Sequence, residues 1–252
     1  GVLNSSVACF WLKQVSHKKG GSPESGGGDS TQPWSWTFEF TGTKLQEFPL
    51  PASLPVGYGY MLDALAHEAA DLLPAAVLAG LDDGVEPTRS VLDDARRRWL
   101  TVRAQMVGWQ EELDWHTYRL NGLLDYDLTY TPPPAIPPEL DAATDADSGF
   151  AAVLPPVVLG QRAFEIVLAR RMAAGVESSE WFARHGSTPI TDIPSGWPDD
   201  YAALVQQRID VIASNPSIRL LERPEFKRRW AIETREALET TALSGAVLDR
   251  VA

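Results

Sequence analysis

The sequence predicts a mainly α-helical protein: a long antiparallel helical hairpin, a C-terminal helical subdomain and, ahead of both, a small α/β unit. Three observations predict it. Leu92, Ala95, Trp99, Val102, Met106, Trp109 and Leu113 step alternately by three and four residues, which is a heptad seam. Leu62, Leu65, Ala69, Leu72 and Ala76 repeat that step earlier in the chain. Trp34, Trp36, Phe38 and Phe40 alternate with small or polar residues, the period of a strand.

Each element follows from local chemistry. Residues 3–15 read as a short helix that Asn4 or Ser5 can cap. A loop rich in Gly and Ser covers 16–33, the strand follows at 34–40, and 45–50 reads as a second extended piece closed by Pro49 and Pro51. Residues 58–79 form the first hairpin helix, with a kink expected at Pro74. After a turn at 80–87, Ser90 with Asp93 offers a cap for a helix over 90–123, roughly 50 Å long at 1.5 Å per residue. Residues 131–156 hold seven prolines and an acidic stretch, the composition of a linker. Three helices are expected beyond it, at 160–174, 198–214 and 224–242, with 177–197 irregular. The expected division is 1–50, 51–130, 131–156 and 157–252.

Composition narrows the function. The 252 residues carry a net charge of −12, which argues against a freestanding non-specific DNA binder. Residues 1–50 balance Lys13, Lys18, Lys19 and Lys44 against Glu24, Asp29, Glu39 and Glu47, so the whole excess lies in 51–252. No apolar run approaches the roughly 18–20 residues that span a bilayer, so no membrane role is expected. The one cysteine, Cys9, has apolar neighbours and reads as an inert thiol in a reducing cytoplasm. The chain begins with Gly1 rather than Met and is read as a fragment or processed product.

Catalytic motifs are recognised by their mechanics. The four histidines (17, 67, 116, 185) lack zinc-ligand spacing, so no metal site is expected, and His116 reads as a polar residue on the seam. There is no Gly-x-Ser-x-Gly elbow and no phosphate-binding loop. Gly57-Tyr58-Gly59 is only a fragment of a cofactor loop, and Ser214-Asn215-Pro216-Ser217 reads as a helix-ending turn. Glu111, Glu112 and Asp114 invite an acid/base reading, but a solvated helix face is the favoured reading of Glu111 and Glu112. Candidate phosphate contacts are His17, Lys18, Lys19 and Lys44 beside the glycine-rich loop. A later basic run adds Arg223, Lys227, Arg228 and Arg229, with Phe226 and Trp230 expected on one face of a helix. No catalytic residue is expected.

Word-level similarity adds to this. GVLNSSVACFWLKQVSHKKG and FEFTGTKLQEFPLP resemble the end of the target-recognition region in type IIG-like adenine-specific DNA methyltransferases, which makes the α/β unit a remnant of that region. QEELDWHTYRLNGLLD resembles the helix that closes the specificity region there, with Asn121 departing from an expected aromatic. GQRAFEIVLARRMAAG, WFARHGSTPIT and IRLLERPEFKRRW resemble the tail of the methyltransferases of type 2 BREX phage-defence systems. The resemblance implies a parent enzyme that transfers a methyl group from S-adenosylmethionine to adenine in double-stranded DNA. Its catalytic domain would lie upstream, so this part alone would be inactive and bind no cofactor. Other phage-defence proteins would be partners. The competing reading is a helical module that docks such partners without touching DNA.

Overall fold

A computed structural model describes residues 1–19, 32–81, 88–130, 154–230 and 235–251. The long helix predicted from the seam is α5, Arg89–Leu120, a continuous rod roughly 50 Å long. Its seam is buried from Leu92 to Leu113, with Met106 half-buried. Helix α3, Val56–Asp71, runs antiparallel to it. Tyr58 at the start of α3 packs on Trp109 and Leu113, whereas Leu72 just beyond its end packs on Ala95, Trp99 and Val102. The expected hairpin is therefore present.

Pro74 does more than kink the first helix. It ends α3 and opens a separate helix α4, Pro74–Ala79, sitting at a first-turn position where its missing N–H costs nothing. Thr88 rather than Ser90 precedes α5. The turn expected at 80–87 lies mostly outside the described residues.

Ahead of the hairpin, α1 spans Ser6–Val15, capped by the Ser5 hydroxyl accepting from the Ala8 N–H. Strand β1, His17–Lys19, pairs antiparallel with β2, Thr37–Glu39, so the predicted strand is present but short. Its first residues instead form a 3-10 turn, Pro33–Ser35, that buries Trp34 against Trp181. The extended piece expected at 45–50 is a correction. Residues Gly42–Gln46 are helical (α2) because Thr41 caps them, its hydroxyl accepting from the Lys44 N–H. The glycine-rich stretch within 20–31 lies outside the described residues.

The C-terminal half carries α6 (Ala163–Ala173), α7 (Trp181–Arg184), α8 (Asp199–Ser214), α9 (Pro216–Leu221) and α10 (Arg235–Val251). Asn215 ends α8 and caps α9, its side chain accepting from the N–H groups of Ser217 and Ile218. No helix covers 224–230, contrary to the sequence expectation. The Pro224 ring is buried there and the chain runs through turns. Most of the proline-rich stretch lies outside the described residues. Its end at 154–156 is packed, with Leu154 buried against Gly108 of α5.

One apolar core is shared by both halves. Val107, Trp115 and Tyr118 of α5 meet Ile166 of α6, Tyr201, Val205 and Ile212 of α8, and Ile218 of α9. Helix α10 closes the hairpin: the Arg235 guanidinium donates to the Leu72 carbonyl at 2.7 Å, and Glu239 is held by Arg235 and Arg96. Among the described residues no helix is long and apolar enough to cross a membrane.

Candidate nucleic-acid interface

Two basic groups far apart in sequence meet in space. Helix α1 projects Lys13 from its last turn, and β1 follows with His17, Lys18 and Lys19. Lys13 Nζ lies 5.2 Å from the ring centroid of Phe38 on β2 and 5.8 Å from that of Phe226, and it donates to the Glu225 carbonyl. Phe10 and Phe226 meet edge-on at 5.2 Å. Residues Glu225 and Phe226 are thereby docked against α1. Burial above all holds the Lys13 ammonium below its ordinary range, with the positive charge of Arg229 nearby acting in the same direction. Burial pushes the Cys9 thiol up, which agrees with an inert thiol.

The candidate contacts divide sharply. His17 and Lys19 are exposed, and Lys18 lies 3.8 Å from the ring centroid of Trp36. Lys44 pairs with Glu47 at 2.8 Å on an exposed turn of α2. Arg228 and Arg229 are exposed, Arg228 lying over the Trp230 ring. Arg223 is exposed and paired with Glu225. Lys227 is a correction: it is 4% exposed and reaches no surface. Phe226 and Trp230 are both buried, but as turn residues rather than one face of a helix. Sequence reasoning passes over Lys13 as a contact because its role depends on Phe226, more than 200 residues away.

The largest correction concerns Glu111, Glu112 and Asp114. They are not a solvated face; each is at most 2% exposed. Burying carboxylates is costly unless cations and donors meet them. Arg208 of α8 meets Glu112 at 2.7 Å, while Glu112 also accepts from the Tyr130 N–H at 2.6 Å. Asp114 accepts from the Ser6 N–H and hydroxyl, each at 2.8 Å, placing negative charge at the N-terminus of α1. Lys227 Nζ stands 2.8 Å from Asp114, 2.9 Å from Glu222 and 3.3 Å from Glu111. Glu222 also accepts from the Tyr118 hydroxyl at 2.5 Å. One ammonium cannot balance three carboxylates. Burial pushes Glu111 up to about 7 against the pull of Lys227, and neither of its oxygens accepts a hydrogen bond. The partners of these acids are not legible locally, since Arg208 and Lys227 lie about a hundred residues further on.

A neighbouring pair, Arg162 and Glu165, is also fully buried at 2.8 Å. Burial alone would raise the Glu165 carboxyl, but Arg162, the Trp181 indole and the Gly160 N–H hold it below the usual range. Gly160 makes this possible. Its φ of 98° is left-handed, and a β-carbon there would run into the Thr188 carbonyl.

Gly57 and Gly59 lie inside α3, so they form no glycine loop for S-adenosylmethionine. Among the described residues no group of three His, Cys, Asp or Glu could hold a metal ion. His116 packs on the Tyr58 ring at 5.0 Å as a seam residue. Asn121 closes α5, its side-chain amide donating to the Thr117 carbonyl at 2.8 Å.

Residues 106–252 match the family described as a domain of unknown function, DUF7008, which is more than half of the chain. The chain belongs to the DUF7008 family. The DUF7008 region takes in the three buried acids, Arg162, Arg208 and Lys227, so the charge hub is internal to it. The strand pair and Lys13 lie outside it. The chain is also 50% identical, over 253 aligned positions and its whole length, to the adenine-specific methyltransferase PglX of Streptomyces coelicolor. It spans only 19% of that relative's length. No solved structure matches it.

Proposed function

We propose that this chain is the DNA-engaging and scaffolding part of a site-specific, S-adenosylmethionine-dependent DNA adenine methyltransferase of a phage-defence system, acting in the cytoplasm. The methyl-transfer chemistry would reside elsewhere in the parent protein. Identity of 50% to PglX along the whole chain carries this reading. The approach of Arg229 to Lys13, with Lys18 following on β1, supports it, because neighbouring cations suit phosphate contacts. His17 borders this face. Lys44 would join it by exchanging its exposed partner Glu47, a pair worth little, and Arg223 by leaving the largely covered Glu225. Lys227 is buried and makes no such contact.

The test is duplex binding by fluorescence anisotropy across a salt series. The double variant Lys18→Glu/Lys19→Glu should weaken binding to all sequences alike and flatten the salt dependence by up to about two units of slope. A changed sequence preference at constant slope would point to base-edge readout instead. Calorimetry should detect no S-adenosylmethionine binding by this chain.

A second reading, a helical module that docks other phage-defence proteins, is favoured by an apolar groove of about 380 Å³ lined by Val2, Leu54, Val56 and Tyr60. It predicts no duplex binding at all.

A further inference from the structure

Strand β2 and its flanks place Trp36, Phe38 and Phe40 at alternate positions, hence on one face. Lys18 is the cross-strand partner of Phe38, so it shares that face, and Lys13 approaches the same ring from α1. Phe40 is 52% exposed, its ring meeting that of Phe38. The Phe38 and Phe40 rings are parallel to within 6° with centroids 6.4 Å apart. Phosphate contact alone needs no aromatics. Rows of aromatics interleaved with lysines are what sequence-tolerant binding of unpaired bases requires, since every base has a π-face.

We infer that this face takes unpaired bases of single-stranded DNA, stacking them on Phe40 while Lys18, seated over the Trp36 ring, holds the backbone. The inference rests on the DNA-engaging reading and adds the kind of DNA: a locally opened strand rather than an intact duplex. Charge complementarity fits, since a strand carries one phosphate per base and Lys13 and Lys18 stand beside the rings. Thr37, Glu39, His17 and Lys19 occupy the opposite face of the two strands and would not meet the bases. Lys19 contributes only general positive charge, whichever form of DNA is bound.

The experiment titrates the full chain with a fluorescein-labelled oligo(dT) 12-mer and, separately, with a hairpin duplex. Binding is read by anisotropy and by tryptophan quenching. The expected result is tighter binding of the single strand, with quenching by oligo(dT) only. Because Phe40 is exposed, Phe40→Ala should leave the melting temperature unchanged. It should weaken oligo(dT) binding roughly ten-fold, the scale of one lost base–aromatic stack, and duplex binding by less than two-fold. Phe40→Tyr should restore the affinity. Lys19→Glu should weaken both ligands alike. Equal loss of both ligands in Phe40→Ala, or no loss of either, overturns the base-stacking inference while duplex binding stands. Failure of the parent chain to bind either ligand overturns the DNA-engaging reading and this inference together.

Discussion

Replacing Glu111 by Gln should stabilise the protein, and only at neutral and alkaline pH. Glu111 is 2% exposed, its oxygens accept no hydrogen bonds, and its nearest cation, Lys227, is shared with Asp114 and Glu222. Its carboxyl is therefore pushed up from 4.5 to about 7 in the folded protein. An acid whose folded pKa is raised binds its proton more tightly folded than unfolded. Its contribution to stability is fully present below pH 4.5 and is lost as pH rises through 7. At ~1.4 kcal/mol per pKa unit, the full loss is about 3 kcal/mol. A glutamine mimics the protonated acid in size and cannot ionise, so it escapes that loss. Urea denaturation followed by tryptophan fluorescence should find the two proteins nearly equal near pH 4.5. The Glu111→Gln variant should lead by about 3 kcal/mol near pH 8.5, or roughly 6–12 °C in melting temperature. A stability difference that does not change with pH would refute the reasoning. So would a less stable variant near pH 8.5, because Glu111 would then be an ionised partner that Lys227 requires.

Lys227→Met, by contrast, should cost about 3–5 kcal/mol in the same denaturation assay, because Asp114 and Glu222 lose their buried cation. An unchanged midpoint would mean that water reaches the hub. Val102→Asp should cost several kcal/mol by placing an unpaired charge between α5 and Leu72. A variant melting within about 2 °C of the parent would show that this part of the seam is not packed.

Much of the helical frame is legible because its signals are local and periodic. The seam from Leu92 to Leu113 marks both the length of α5 and the face it buries, and Ser5 marks the start of α1. Where the reading fails, a distant partner decides the outcome. Glu111, Glu112 and Asp114 look like a solvated run until Arg208, Ser6 and Lys227 are brought to them. The basic run at 219–230 reads either as a docking patch or as a helix whose cations pair with Glu222 and Glu225 over buried aromatics; Phe226 and Trp230 are buried and Glu222 and Asp114 draw Lys227 inward, while Arg228 and Arg229 stay out. The helix expected from Pro224 fails because burial of Phe226 against Phe10, and of Trp230 in the shared core, holds the chain in turns. Residues 45–50 resemble a strand because Pro49 and Pro51 close them, whereas Thr41 has already started a helical turn.

The buried hub and the basic face are mechanically one unit. Asp114 grips the first turn of α1 through Ser6, and the same carboxylate holds Lys227. Lys227 follows Phe226, which packs on Phe10 and lies beside Lys13, both on α1. Thus α5 anchors both α1 and the 223–230 segment with a single side chain, one through a helix N-terminus and the other through a buried ammonium. A surface of flexible lysines alone would not need such anchoring. Rigid placement matters where cations must meet a fixed phosphate spacing, since less side-chain and loop freedom is then lost on binding. The net charge of −12 makes the same point from the other side. On the DNA-engaging reading proposed above, a segment with no general excess of positive charge would rely on a few cations held in place, and Asp114 of α5 anchors the two elements that carry Lys13 and Arg229.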